Sequence, residues 1–270
     1  MSKLIIFDTE TTGLEKEDKI IQVGAIINDL DNKDSIEFYD ELCNSDIPIK
    51  IEAMAIHGIR PEKIKNKPFY KDTKFKKRLD ELNNKENFLI AHNLDFDLEM
   101  LKKEGFNNNL NLIDTLQCAI HLYSIGEKIG NYLLPNYKLQ TFRYLLIDEE
   151  EELKEAKTYK VDIQAHNAIS DVIILKLFLR KLYIKISEKY NIKEKEAIFN
   201  KMVELTKLPA IIKVLNFGKY KGEKLIDIEK KDSNYIDWLF KEQEKSKKNN
   251  DIQFNKNLYF SLKEIINKRK

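Results

Sequence analysis

The 270-residue sequence has few of the residues that mark several common classes of protein. Its two cysteines, Cys43 and Cys118, form no CxxC pair and no cluster with histidine, which argues against a disulfide scaffold or a structural zinc site. No apolar run approaches the roughly 20 residues of a membrane helix, and the apolar run before Asp8 is too short for a secretion signal. We therefore expect a cytoplasmic protein without a membrane partner.

The residues that are abundant describe a globular chain with an uneven distribution of charge. Hydrophobic residues make up 42% and charged residues 34%, which is enough for a substantial core. From Lys176 onward there are 24 basic and 13 acidic residues, whereas the preceding part has 23 basic and 32 acidic ones. A basic C-terminal part suggests an anionic partner. Lysines that merely solvate helices explain the pattern equally well.

Hydrophobic patterning predicts a mixed α/β fold for the first part of the chain. Apolar or β-branched runs bounded by Gly, Asn or Asp predict strands at residues 3–8, 20–29, 35–42, 87–91 and 110–114. Helical patterns cover residues 51–57, 74–82, 94–104, 115–123, 139–146 and 168–189. Together they predict a mixed sheet flanked by helices. We divide the chain into a domain at 1–187, a linker helix at 188–207 and a small basic α+β module at 208–270.

The stretch LIIFDTETTG places two acids where a buried strand should end. Side chains of a strand alternate, so Asp8 and Glu10 point the same way and repel each other. A shared cation would convert this repulsion into binding, and Mg²⁺ prefers such hard oxygen ligands. Two magnesium ions a few ångströms apart are a known device for phosphoryl transfer. Such a site requires further carboxylates from other elements.

A second acidic motif lies in FLIAHNLDFDLEML. Asn93 follows an apolar strand and is a natural N-cap for the next helix, which carries Asp97 four residues later. This spacing places Asp97 near the helix start, on the face of the cap. An aspartate in a first turn also simply favours the helix dipole, and by itself that interpretation is the stronger one. Asp95 and Glu99 fit it better than a ligand role.

A third motif, AHNAISDVIIL, combines a histidine with an aspartate. His166 and Asp171 would lie about 140° apart on one helix, so they cannot face the same point from it. They can if His166 lies on the preceding loop and Asn167 caps the helix. A loop histidine can then take a proton from an attacking water. A surface histidine before an ordinary amphipathic helix is the alternative.

Taken together, DTETTG, HNLDFD and HNAISD resemble, in this order, the three motifs of the DEDDh (DnaQ-like) 3′→5′ exonuclease superfamily. The resemblance covers about residues 3–185 and includes IHGI at 56–59. It implies a ribonuclease-H-like sheet, with His166 as general base and two Mg²⁺ ions, replaceable by Mn²⁺. The metal ligands it implies are Asp8, Glu10, Asp97 and Asp171. It also implies substrate contacts, which we assign to Thr11, Thr12, Gly13, Leu14 and Asn93.

The segment FGKYKGEKLIDIEKKDSNYIDWLFKEQ resembles the small module that follows the nuclease in exodeoxyribonuclease X-like proteins. Lys219, Tyr220 and Lys221 lie between two glycines, in a turn that could contact phosphates and stack on a base. The alternative is a plain hairpin. The spacing of Tyr235, Trp238 and Leu239 predicts a packed core, and we assign Trp238 to it.

The function expected from these motifs is hydrolysis of DNA from its 3′ end, releasing 5′-mononucleotides, in repair or end trimming. We expect single-stranded 3′ ends or 3′ overhangs as substrates. Trimming of RNA 3′ ends by an exoribonuclease remains open, because the contact that reads the 2′-OH lies on loops the sequence does not resolve. A catalytically silent nucleic-acid-binding protein is the alternative from another class. We find no convincing clamp-binding segment, which favours a stand-alone enzyme over a polymerase subunit.

Overall fold

The computed structural model describes residues 2–32, 35–249 and 254–269, and a five-stranded mixed sheet lies at its centre. The strands are β1 (Lys3–Thr11), β2 (Ile20–Asp29), β3 (Ile36–Leu42), β4 (Phe88–Ala91) and β5 (Asn111–Asp114). They lie in the order β3-β2-β1-β4-β5. The pairs β1–β2 and β2–β3 are antiparallel, whereas β1–β4 and β4–β5 are parallel. The predicted ribonuclease-H-like mixed sheet is confirmed.

Helices flank this sheet and form most of the C-terminal part. The first six are α1 (Ile51–His57), α2 (Pro61–Ile64), α3 (Lys74–Glu81), α4 (Leu94–Lys103), α5 (Thr115–Leu122) and α6 (Leu139–Leu146). The others are α7 (Glu149–Tyr159), α8 (Ala168–Tyr190), α9 (Lys195–Lys207), α10 (Leu225–Lys231), α11 (Ser233–Lys248) and α12 (Lys256–Asn267). A short 3₁₀ helix, Tyr70–Asp72, and a hairpin of β6 (Lys128–Ile129) and β7 (Tyr132–Leu133) complete the set. None of the helices within the described ranges has the length and apolarity needed to span a membrane.

The central strands are apolar on both faces because each face of the sheet is covered. Leu4 and Ile6 of β1 join a cluster with residues of α5, α6, α8 and α9. Ile5 and Phe7, which alternate with them, join a second cluster with residues of α3 and α4. Burial on both faces explains why β1 reads as a continuous apolar run and why its acidic end is conspicuous.

Helix α8 approaches the sheet at Gly24, the residue of β2 that pairs with Asp8. A Cβ atom on Gly24 would lie 2.5 Å from the backbone carbon of Ala168 and from the backbone nitrogen of Ile169. Only glycine permits backbone contact this close. Since Asp171 lies in the first turn of α8, this contact brings it to the acidic end of β1.

The region assigned to a linker helix contains the end of α8 and the whole of α9. The chain turns at Asn191, which has a positive φ of 52°, and α9 then packs onto the sheet. Ile198 and Met202 are buried in the first cluster, and the ring of Phe199 lies 5.7 Å from that of Phe88. Helix α9 is thus part of the core beside β5. The division of the chain into domains remains a prediction.

The C-terminal module, residues 208–270, has its own small core. This core consists of Leu215, Leu225, Ile228, Ile236, Leu239, Leu258 and Leu262. Among the described residues of the module, the β structure is one isolated bridge between Val214 and Lys224. The assignment of Trp238 to this core was wrong, because the side chain is 52% exposed. Leu239 fills the core position, and Trp238 lies outward against Tyr235.

Candidate active site

The first strand, which is central in the sheet, presents Asp8 and Glu10 on one face near its carboxyl end. Both are half-buried, and they pair with Gly24 and Gln22 of β2. Thr9 lies between them and faces the other way, so that its hydroxyl donates a hydrogen bond to Asp97 Oδ1 at 2.7 Å. The strand therefore orients two carboxylates directly and a third through Thr9.

Asp97 is buried in the first turn of α4, as the sequence predicted. The preceding Asn93 occupies the N-cap position, but the predicted side-chain cap is absent. Its backbone is left-handed, with a φ of 71°, and its side chain is exposed. The backbone N–H of Asn93 instead donates a hydrogen bond to Asp114 Oδ1 at 3.0 Å, which fixes the sharp turn between β4 and α4.

Asp171 completes the acidic cluster from α8. Oxygen atoms of Asp8, Glu10 and Asp171 all lie within 4.8 Å of one another. Gln140 donates to Asp171 Oδ1 at 2.5 Å, and the backbone amide of His166 donates to Asp171 Oδ2 at 3.1 Å. The cluster thus combines residues from two elements that are distant in the sequence, β1 and α8.

His166 lies on the loop before α8 and its side chain is exposed. Its φ of 59° is left-handed, which turns the chain just before the helix. The side chain of Asn167 accepts a hydrogen bond from the Ser170 amide at 3.3 Å, so the predicted helix cap is confirmed. This arrangement places an exposed imidazole beside Asp171 without making both residues face one side of a helix.

The protonation of the cluster reflects burial and mutual repulsion. Burial raises the pKa of Asp8 well above its usual value, and the charges of Asp97, Asp171 and Glu10 raise it further. The same two causes raise the pKa of Glu10 to about 8. Burial also raises the pKa of Asp97 to about 7, although hydrogen bonds from Thr9 oppose the rise, and it raises the pKa of Asp171. A bound cation would favour the ionised form of these groups and offset their mutual repulsion.

The donor set fits a hard divalent cation. The clustered ligand atoms are all carboxylate oxygens, the type that Mg²⁺, Mn²⁺ and Ca²⁺ prefer, with no thiolate or imidazole among them. Asp97 is coupled to the cluster through its charge and through Thr9. The acidic end of β1 could therefore hold a divalent metal.

The turn after β1 is rigid, and most of its side chains point inward. The Thr11 hydroxyl donates to the Gly13 carbonyl, and the Thr12 hydroxyl donates to Asp18 Oδ1 at 2.8 Å. A Cβ on Gly13 would lie 2.6 Å from Asp18 Oδ2, so packing excludes a larger residue there. Of the four predicted substrate contacts in this turn, Leu14 alone has an exposed side chain, at 74%.

The lysine-rich turn of the C-terminal module belongs to that module's own packing. The Tyr220 hydroxyl donates to Asp232 Oδ2 at 2.6 Å, and the Tyr220 ring meets that of Tyr235 edge-on at 4.9 Å. The ammonium groups of Lys219 and Lys231 lie 4.7 and 4.5 Å from the centre of the Tyr220 ring. Tyr220 is thus engaged within the protein. Lys219 and Lys221 are both exposed, and Lys219 also forms an ion pair with Asp232 at 3.3 Å.

Two residues of the site were not identified from the sequence. Gln140 contacts Asp171 from 31 positions away, and nothing in its own segment indicates this. Thr9 could have been identified from the sequence, because it lies between the two acids of a buried strand and must face the opposite side. Both act by orienting carboxylates.

A ribonuclease-H-like sheet with acids at the end of its first strand, joined by an aspartate from a late helix and a loop histidine beside it, defines the class of metal-dependent exonucleases. The chain belongs to the exonuclease family: the model described as "Exonuclease" matches residues 5–178. A second model, described as "Exodeoxyribonuclease X-like C-terminal", matches residues 215–244. The predicted membership of the DEDDh exonucleases, with an exodeoxyribonuclease X-like C-terminal part, is confirmed.

Individual relatives differ in how much of their length the chain covers. Exodeoxyribonuclease 10 of Escherichia coli (strain K12) is 26% identical over 243 residues, which are 88% of this chain and 90% of the relative. A PolC-type DNA polymerase III of Caldanaerobacter subterraneus subsp. tengcongensis is 30% identical over 164 residues, 57% of this chain but 11% of the polymerase. Among solved structures, E. coli exonuclease I in complex with a dT13 oligonucleotide has a TM-score of 0.51 at 19% identity. That similarity covers 71% of this chain and 43% of the other, and it supports the fold alone.

Proposed function

We propose that this protein is a 3′→5′ exonuclease that releases 5′-mononucleotides from DNA 3′ ends, in repair or end trimming. The observation that carries the proposal is the convergence of Asp8, Glu10 and Asp171 at the carboxyl end of the central strand β1, with the charge of Asp97 acting on Asp8. Each of these carboxylates has a raised pKa, and groups with such perturbed pKa values cluster at functional sites.

The four carboxylates would hold two Mg²⁺ ions, with Mn²⁺ able to substitute. Bound there, the ions would supply Lewis-acid activation of water and neutralise charge on the leaving oxygen. Thr9 would keep Asp97 in place, and Gln140 would do the same for Asp171.

His166 would act as the general base. Its imidazole is exposed at the edge of the cluster, and its backbone amide is hydrogen-bonded to Asp171. An imidazole can take a proton from the attacking water, and the exposure of His166 would let it pass that proton to solvent.

The turn after β1 and Asn93 would contact the terminal nucleotide. Leu14 offers an exposed apolar side chain for a base, while Thr11, Thr12 and Gly13 would contribute through backbone atoms, since their side chains are turned inward or absent. The exposed side-chain amide of Asn93 lies beside the start of α4.

DNA is preferred over RNA as the substrate because the relatives that match along most of both chains include exodeoxyribonuclease 10, with 88% of this chain and 90% of the relative covered. The same relative, together with the C-terminal match at residues 215–244, supports a stand-alone enzyme. Single-stranded 3′ ends and 3′ overhangs are the expected substrates, and the exposed Lys219 and Lys221 would contribute contacts to phosphates. We place the enzyme in the reducing cytoplasm, in keeping with two buried free cysteines.

The experiment compares matched oligonucleotides: single-stranded DNA, blunt duplex, 3′ overhang and RNA, each labelled at the 5′ end or the 3′ end. With Mg²⁺, the 3′ label should appear at once as a mononucleotide, while the 5′-labelled strand shortens stepwise, and EDTA should stop both. Immediate release of the 5′ label would refute the direction. Faster shortening of RNA than of DNA would favour the exoribonuclease alternative. Absence of hydrolysis with both Mg²⁺ and Mn²⁺ would favour a silent binding protein.

A further inference from the structure

A groove of about 470 Å³ lies between the nuclease domain and the C-terminal module, and its two walls are fixed to each other. The buried side chains of Gln117 in α5 and Asn257 in α12 exchange hydrogen bonds of 2.8 and 3.0 Å. Gln117 also donates to the Leu208 carbonyl, and Asn257 accepts from the Ala210 amide. Such a satisfied buried network holds the module in one orientation.

The groove shares Asn93 with the candidate active site. Its lining on the nuclease side includes Asn93 and Lys138. Asn93 directly precedes α4, which carries Asp97, and Lys138 lies two residues before Gln140, which donates to Asp171. A strand whose end reaches the acidic cluster therefore has the groove directly beside it.

The chemistry of the lining suits unpaired nucleotides. Most of the lining surface is apolar, and the module contributes Phe217, whose side chain is 43% exposed, next to the exposed amide of Asn216. Stacking on an exposed ring, amide contacts and a nearby cation are the means by which proteins bind single strands. Lys138 is exposed and supplies the cation.

Other features of the module agree with a polyanionic occupant rather than an apolar peptide. Residues 208–270 contain 15 basic and 9 acidic residues, which favours association with a phosphate backbone. Tyr220 is engaged with Asp232 and Tyr235 and does not line the groove, whereas Phe217 is the aromatic residue that the described part of the module contributes to the lining.

We propose that this groove binds the unpaired segment of the strand being shortened, upstream of its two 3′-terminal nucleotides, with Phe217 stacking on a base. The proposal rests on the exonuclease function proposed above. It gives the C-terminal module a specific task, which is to hold the strand between successive cleavages.

The test separates the groove from the chemistry. Binding of a 5′-fluorescein dT12 oligonucleotide is measured by anisotropy in EDTA, and hydrolysis is measured in Mg²⁺ with a dinucleotide, too short to fill the groove, and with dT12. Phe217→Ala should weaken binding of dT12 about 5- to 100-fold and raise KM for dT12, because a stacked base contributes about 1–3 kcal/mol. Its kcat for the dinucleotide should not change.

Trp238→Ala is the matched control, since this aromatic residue of the module is also exposed but does not line the groove. Its binding and KM should remain as in the wild type. Lys138→Gln should reduce the slope of log affinity against log salt by about 0.7. Thermal melting confirms that each variant is folded.

The outcomes are distinct for the two proposals. Unchanged dT12 binding in Phe217→Ala, or an equal loss in Trp238→Ala, would overturn the groove proposal, as would an equal loss of dinucleotide hydrolysis in Phe217→Ala. If the wild type hydrolyses neither substrate but Phe217→Ala still weakens dT12 binding, the exonuclease function fails and the groove stands.

Discussion

The carboxylate cluster should make the metal-free protein less stable as the pH rises, and Glu10 allows the effect to be isolated. Its pKa is 4.5 in an unstructured chain and about 8 in the folded protein, because burial and the charges of Asp171 and Asp97 disfavour its ionised form. Between these two values the folded state binds more protons than the unfolded state. Stability must therefore fall as the pH rises through this window.

The size of the effect follows from the same two pKa values. Their difference corresponds to about 5 kcal/mol at about 1.4 kcal/mol for each pH unit. Glu10 is half-buried and shares its repulsion with three neighbours, so solvent and partial protonation of the neighbours reduce the effect of this one residue. We expect about 2–3 kcal/mol.

The perturbation is Glu10→Gln, which resembles the protonated residue at every pH. In EDTA, urea unfolding followed by far-UV circular dichroism should show the variant about 2–3 kcal/mol more stable than the wild type at about pH 8.5. Near pH 5 the two proteins should differ little. Glu99→Gln, an exposed residue of α4, is the control and should follow the wild type. A variant that is no more stable than the wild type at high pH would refute the electrostatic reasoning.

Three further results are expected. His166→Ala should lower kcat about 100-fold or more while Mg²⁺ still raises the melting temperature as in the wild type, whereas loss of this metal effect would make His166 a ligand. Gln117→Leu should reduce the free energy of unfolding by about 2–4 kcal/mol in urea titrations, because it leaves the buried Asn257 amide unpaired. The double variant Gln117→Leu/Asn257→Leu should recover part of that loss, and simple additivity of the two single changes would contradict the coupling.

The strands and most helices around the site were predictable because their signals are local. β2 (Ile20–Asp29) was predicted to the residue, and β5 (Asn111–Asp114) within one position. Helix α7 (Glu149–Tyr159) was not predicted, although Asp148 and Glu151 form a readable capping box at its start. Its run of acidic residues resembles a solvated loop. The helix is stabilised by ion pairs with other elements, such as the 2.8 Å contact of Glu155 with Lys176, which lies 21 residues later.

In the candidate site and the C-terminal module, likewise, some residues could be assigned from local sequence patterns, whereas the environment of others depends on tertiary contacts. Asp8 and Glu10 were recognisable because acids at the end of a buried strand require an explanation, and the placing of Asp171 followed from the cap at Asn167. The exposure of Trp238 and the engagement of Tyr220 were not recognisable. Helical spacing identifies residues that share a face, whereas the neighbouring elements determine whether that face is covered.

The α4 turn shows a further limit of local reasoning. Asparagine after a strand and before a helix favours a side-chain cap, and it equally favours the left-handed backbone that Asn93 adopts. The choice between them depends on Asp114, 21 residues later, which accepts a hydrogen bond from the backbone N–H of Asn93. No pattern within the motif contains that information.

The most direct measurement is the rate at which Asp8→Asn releases labelled mononucleotides from a 3′-labelled single-stranded DNA in Mg²⁺. Asp95→Asn is compared under the same conditions, since it makes the same chemical change at an exposed position of α4. A cluster of carboxylates that binds the catalytic cations predicts a loss of at least about a thousandfold for Asp8→Asn, with the fold retained, and wild-type activity for Asp95→Asn. Equal rates for the two variants would show that hydrolysis does not depend on the acidic end of the first strand.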